Sequence, residues 1–136
     1  MATFLYNKGR EGFLDGSIDW DTNDIKLLMC TGGYAPASST ADTFVSDVTN
    51  EGTSTRSGNF ASKTVTSGVA DAADVTLTAV PVQTALANIV IYKDTGVDGT
   101  SRLIAFIDNA TGLPVTPNGG DITISWSNGA NKIFKL

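Results

Sequence analysis

Between Leu86 and Asp108 the chain reads Leu-Ala-Asn-Ile-Val-Ile-Tyr-Lys-Asp-Thr-Gly-Val-Asp-Gly-Thr-Ser-Arg-Leu-Ile-Ala-Phe-Ile-Asp. Two runs rich in β-branched and aromatic residues flank a loop of Asp, Gly, Thr and Ser, the pattern of a hairpin whose strands can be buried on both faces. A strand buried twice needs a layer above it and a layer below it. This hairpin therefore predicts the centre of an all-β domain, and the remaining segments are read by how they could cover it.

Ile25–Thr31 is the next clear strand. The run Leu27 to Cys30 is too continuous for one wet face, so it belongs in the middle of the fold. Asn59–Val65 and Asp74–Val80 read as further strands, the latter by alternation of Val75, Leu77 and Ala79 with Thr76 and Thr78. Ser67–Ala72 reads as the connection between them, and Pro81 marks a strand end or edge. Leu113–Pro117 is expected to cross in extended form. Asp121–Ser127 alternates Ile122, Ile124 and Trp126 inward, Asn128-Gly129 suits a tight turn, and Asn131–Leu136 pairs in a sheet. That gives about seven or eight strands with frequent turns, the signature of a two-layer β-sandwich of immunoglobulin-like or jelly-roll type.

Two segments fall outside this pattern. In the N-terminal segment, residues 1–17, the spacing of Tyr6, Phe13 and Leu14 predicts a short helix opened by Asn7 as N-cap and closed by Gly16, with Gly9 and Gly12 weakening it. Residues 34–58 shift to Ala, Ser, Thr, Asp and Gly. A structureless loop of this length needs an anchor. Two compatible readings are a helical turn near Asp42–Val48 that aligns Phe44, Val45 and Val48, and an arm that gains order on a partner.

The 136 residues make one domain, 1–136, long enough to bury roughly two thirds of the unfolded surface without metal or disulfide. A net charge of −5 and a pI near 4.4 leave no electrostatic footprint for nucleic acid or an anionic membrane. No run reaches the roughly 20 apolar residues of a membrane span, and no basic stretch followed by an apolar one opens the chain. We expect a soluble protein made in the cytoplasm. Cys30 is the single cysteine, so no internal disulfide can form, and it reads as a small buried hydrophobe.

Without histidine, neither a Ser-His-Asp nor a Cys-His arrangement can be built, and His-containing zinc sites are excluded. Phosphate-binding glycine loops are absent as well. Asp94, Asp98, Asp19, Asp21 and Asp24 supply loop carboxylates, but the spacing of a calcium loop is missing, and capping of tight turns accounts for them. No acid sits in an evident apolar pocket that would raise its pKa for glycosidase chemistry. Asn109-Ala110-Thr111 matches a glycosylation acceptor and reads as a loop. The expectation is no enzyme, no metal and no cofactor. Among the aromatics, Trp126 and Tyr92 read as core. The candidate partner-contact residues are Phe4, Tyr6, Trp20, Tyr34, Phe44 and Val45.

Tyr6-Asn7-Lys8, Phe13-Leu14-Asp15-Gly16, Ile25-Lys26-Leu27, Ile89-Val90-Ile91-Tyr92-Lys93-Asp94, Arg102-Leu103-Ile104-Ala105 and the block from Thr116-Pro117-Asn118-Gly119-Gly120-Asp121-Ile122-Thr123-Ile124 to Leu136 together resemble a family of small tailed-phage virion proteins. Within it, capsid decoration (cement) proteins match best, and the likeness spans nearly the whole chain apart from residues 34–58. The resemblance implies a protein made in the host cytoplasm that binds the outside of an icosahedral head, often as a trimer. Its partners would be the major capsid protein and other copies of itself, with no nucleic acid and no membrane involved. A tail, baseplate or head-fibre component holding host-surface glycans through Trp20 and Tyr34 is the alternative.

Overall fold

The computed structural model describes residues 3–40 and 42–136, so residues 1 and 2 of the N-terminal segment and residue 41 of the 34–58 stretch lie outside the described residues. Its elements are β1 (Phe4–Leu5), α1 (Asn7–Asp15), β2 (Ile25–Thr31), a 3-10 turn (Val45–Asp47), β3 (Thr64–Thr66), β4 (Val69–Asp71), β5 (Val75–Leu77), β6 (Leu86–Lys93), β7 (Leu103–Ile107), β8 (Ile122–Ile124) and β9 (Phe134–Lys135). The fold is mostly β, with antiparallel sheets and one helix.

The expected hairpin is present as β6 and β7, in the register Ile89↔Ile107, Val90↔Phe106 and Ile91↔Ala105. It forms the middle of a four-stranded sheet ordered β1-β7-β6-β2, beside a three-stranded sheet β3-β4-β9 and a two-stranded sheet β5-β8. Along β2 the side chains divide by parity. Ile25, Leu27 and Met29 enter one core with Trp20, Phe60, Val75, Leu77 and Ile124, whereas Leu28 and Cys30 enter a second with Tyr6, Tyr34, Val45 and Tyr92. Burial on both faces is why this strand shows no alternation.

The helix forms where expected, with one change at its start. Asn7 is the first helical residue, and Tyr6 takes the capping position (φ −64°, ψ 141°) with no side-chain cap. The Tyr6 ring is fully buried, so tertiary packing replaces the cap that Asn7 was expected to supply. Gly16 closes the helix in the left-handed region at φ 81°, as read from the sequence. Leu14 points outward, 87% exposed, while Phe13 packs on the core.

Elsewhere the strand boundaries move. Pairing in the Asn59–Val65 region is limited to β3, because Phe60 leaves the ladder to enter the core, its N–H donating to the Ile25 carbonyl at 2.8 Å. The expected connection Ser67–Ala72 is instead a two-residue turn followed by β4. Ser67 and Gly68 both have positive φ, 53° and 78°, the requirement of a tight hairpin, and β4 then pairs with β9. Asp74–Val80 and Asp121–Ser127 shorten to β5 and β8, which pair with each other.

The 34–58 stretch is not a loose arm in its described residues. Its first half lies over the second core, held by buried Tyr34 and Val45 and by the Val45 N–H donating to the Ser101 carbonyl at 2.9 Å. The 3-10 turn Val45–Asp47 sits inside the span where a helical turn was expected. The second half seals the open edge of β2. Thr55 Oγ1 accepts from the Met29 N–H at 3.2 Å and donates to the Met29 carbonyl at 2.9 Å, and Ser57 Oγ accepts from the Leu27 N–H at 3.0 Å. Side-chain hydroxyls thus complete rungs that a neighbouring strand would otherwise supply, and they do so on a buried edge.

Thr55 is fully buried. Replacing it by valine keeps the shape but leaves the Met29 N–H without a partner, at a cost of about 1–3 kcal/mol. Urea unfolding should show Thr55→Val destabilised by that amount while Thr55→Ser stays near the parent. Equal stability of all three proteins would contradict the edge-sealing role.

Candidate interaction surface

The six expected contact residues divide four to two. Tyr6, Trp20, Tyr34 and Val45 are buried within the chain, at 0%, 3%, 4% and 3% exposure, while Phe4 and Phe44 are half-buried. For the first four the contact reading is corrected, because each already has its partners inside the molecule. Trp20 meets Phe60 and Phe134 edge-on at 5.9 and 5.2 Å, and its Nε1 donates to the Asp71 carbonyl at 3.0 Å. Alternation of Ile18 and Trp20 with Asp19 and Asp21 was the available signal that Trp20 faces inward.

Tyr6 and Tyr34 are joined hydroxyl to hydroxyl at 2.7 Å, and Tyr34 Oη donates to Asp42 Oδ2 at 2.7 Å. Burial pushes both phenols above their ordinary value. The chain Tyr6-Tyr34-Asp42 therefore acts as a neutral-phenol clasp between the N-terminal segment and the 34–58 stretch, and gives neither ring a free face. Phe4 stacks on Phe106 at 5.3 Å and meets Tyr6 edge-on at 5.1 Å, leaving part of its ring accessible. Trp126 is half-buried against Phe60, and Tyr92 is buried, in keeping with a core role for Tyr92.

Another region gathers several apolar side chains at the surface. Phe13, Trp20, Val65, Phe134 and Leu136 line a cleft of about 310 Å³ between the helix end and the β3-β4-β9 sheet. Val65 and Leu136 remain 56% and 57% exposed, and Leu14 follows Phe13 on the helix. Large apolar side chains gathered on a surface mark contact regions more often than single ones do. Phe13 and Leu14 project about 100° apart around the helix, and Phe13 takes the core side. No pattern in the sequence distinguished Leu14, Val65 or Leu136 as exposed.

Ion pairs tie the loops down. Arg56 bonds Glu51 at 2.6 Å and Asp98 at 2.8 Å, and Lys26 bonds Asp94 at 2.7 Å. Asp94 Oδ1 also accepts from the Gly96 N–H at 3.0 Å, the turn-capping role expected of it. Lys26 holds the Asp94 carboxyl below its ordinary range, Arg56 does so for Asp98, and the Phe44 and Thr43 amides do so for Asp47. Carboxyls held low in the folded protein favour folding above their unfolded pKa of about 3.9 and lose that contribution as pH falls through the folded values. Asp21, held up chiefly by its hydrogen bond with Asp19, works in the opposite direction. With Asp15 and Asp19 also held low by hydrogen bonds from Ser17 and Asp21, five depressed carboxyls against one raised predict a lower urea midpoint at pH 3 than at pH 6; a midpoint unchanged or higher at pH 3 would contradict this.

Cys30 is fully buried, and desolvation, reinforced by Glu51, pushes its thiol up to about 12. The thiolate is the reactive form, so folded protein should react with Ellman's reagent at pH 8 at least about a hundredfold more slowly than protein in urea. Rapid reaction of the folded protein would place the thiol at the surface. Among the described residues, no three His, Cys, Asp or Glu side chains converge as a metal-binding group, and no helix is long and apolar enough to cross a membrane.

Compared with known proteins, the chain matches no family model and no curated protein sequence.

Proposed function

We propose that this chain is a phage virion structural protein that binds the outer surface of the capsid and stabilises the head, as a decoration or cement protein assembled as a trimer. The resemblance of the Ile89–Asp94, Arg102–Ala105 and Thr116–Leu136 blocks to small virion proteins carries this reading. Its partners are the major capsid protein and other copies of itself, with no nucleic acid or membrane. It is made in the host cytoplasm, resides on the capsid exterior, and does its work without catalysis. The fold is read as a two-layer β-sandwich of immunoglobulin-like or jelly-roll type, the four-stranded sheet forming one layer and the two smaller sheets the other.

The exposed apolar cleft supports an adhesive role. Leu14, Val65 and Leu136, with Phe4 and Phe44, replace the four buried residues as the side chains able to meet a neighbour. Glycan adhesion through Trp20 and Tyr34 loses its contacts, since neither ring is accessible. Purified protein is expected to be retained on expanded capsid shells and to raise their resistance to heat. Absence of retention would overturn the proposal.

A further inference from the structure

The strand β8 has one partner, β5, in the register Val75↔Ile124, Thr76↔Thr123 and Leu77↔Ile122. Along its other side run two adjoining cavities of about 330 and 670 Å³, which share Ile89, Ala110, Thr111, Thr123, Ile124 and Ser125. The first is lined by Asp121 through Ser125 without a gap and the second by Thr123 through Ser127. Side chains alternate across a strand, so a cavity over one face would meet every second residue. Contact with five consecutive residues places this groove along the strand's edge.

That edge has unmet backbone groups. The Trp126 N–H turns toward β5, donating to Asp74 Oδ1 at 3.1 Å. The period of two then puts the N–H groups of Ile122 and Ile124 on the β5 side and points the N–H and C=O of Thr123 and Ser125 into the groove. Among the described residues, Thr123 and Ser125 make no backbone hydrogen bond outside the β5-β8 ladder. The edge of β2 is sealed by Thr55 and Ser57, whereas this one carries no such cover. The floor is apolar, formed by Met29, Ile89, Leu113 and Ile122. Lys132 stands at the other end and makes no ion pair among the described residues.

We propose that the groove receives an extended segment of another polypeptide, which adds as a strand to β8, places apolar side chains at alternate positions on the floor and sets one carboxylate beside Lys132. The groove from Asp121 to Ser127 accommodates about six or seven extended residues at roughly 3.3 Å each. Charge complementarity at Lys132 selects the acidic residue, and Asp121 at the opposite end of the groove disfavours a second one. This inference stands on the groove and does not require the capsid reading.

The test uses the folded full-length protein and a panel of end-capped ten-residue peptides that alternate valine and threonine, with one glutamate moved along the sequence. Binding is followed by amide exchange at Thr123 and Ser125. Peptides with glutamate in one register should slow exchange of both amides tenfold or more. Ser125→Pro removes an outward-facing donor and should weaken binding tenfold or more. Lys132→Glu, which leaves the backbone untouched, should transfer the preference to peptides carrying lysine in the same register. The proposal is overturned if no peptide protects the two amides at about 1 mM, or if Lys132→Glu leaves the preference unchanged. It is equally overturned if the amides are protected by self-association or only by neutral oligosaccharides stacked on Trp126.

Discussion

Trp20→Ala should lower the stability of the isolated protein by about 3–5 kcal/mol, among the largest losses available to a single substitution in this chain. The side chain is 3% exposed and lies between Phe60 and Phe134, with its ring N–H satisfied by the Asp71 carbonyl. Truncation removes the apolar area of the ring and leaves a cavity where three parts of the fold meet: the 18–24 turn, the Phe60 segment and the β4-β9 pair. Urea unfolding at fixed protein concentration measures the effect, and Trp20→Phe should recover much of it while losing the hydrogen bond to the Asp71 carbonyl. A surface contact residue would behave otherwise, with a loss below about 1 kcal/mol.

Gly9→Ala is the second large effect, and its sign is opposite to what helix propensity alone predicts. In a free helix this change gains about 1 kcal/mol. Here a methyl group at residue 9 would sit 2.7 Å from the Leu103 carbonyl oxygen and 2.9 Å from the Ile104 Cα, both backbone atoms of the central hairpin. Backbone in a buried strand cannot step aside, so the helix must move, and Tyr6 and Phe13 with it. A net loss of about 2 kcal/mol or more is expected from overpacking of this kind. Gly12→Ala gives the contrast. Its methyl meets the tip of the Ile18 side chain and, at 3.1 Å, the Arg102 guanidinium, side-chain atoms that can shift, so the loss should be clearly smaller. Equal losses at the two positions would refute the close approach of helix and hairpin backbone.

The parts of this fold that the sequence reveals are those with one dominant signal. Leu86–Lys93 and Ile25–Thr31 coincide with β6 and β2 because continuous apolar runs of that length have few alternatives, and Gly16 ends the helix because a left-handed residue is needed there. The short strands were less legible. Val69–Asp71 is a three-residue strand behind a Ser-Gly turn, and three residues carry too little periodicity to separate strand from loop. Residues 34–58 were hard for another reason. Their hydroxyls serve as ladder partners for β2, a role that depends on a strand distant in sequence and leaves no local pattern.

The contact surface was the least legible feature, because aromatic residues signal burial and recognition equally well. Trp20 and Tyr34 look alike as adhesive residues until the fold supplies Phe60, Phe134, Tyr6 and Asp42 as their partners. Val65 and Leu136, which a reader of the sequence would bury, stay at the surface because β3 is an edge strand and β9 ends the chain's pairing. The groove beside β8 could not be seen at all, since its opposing wall, Ala110–Leu113, is remote from the β5 partner that leaves the other edge open.

Cryo-electron microscopy of phage particles prepared with this protein tests the central functional proposal most directly. The account predicts density for this fold on the outside of the head, repeated at three-fold and quasi-three-fold positions, with the Val65 and Leu136 surface turned toward a neighbouring subunit. A head whose outer surface lacks the protein, or a particle that carries it only in the tail, would contradict the account.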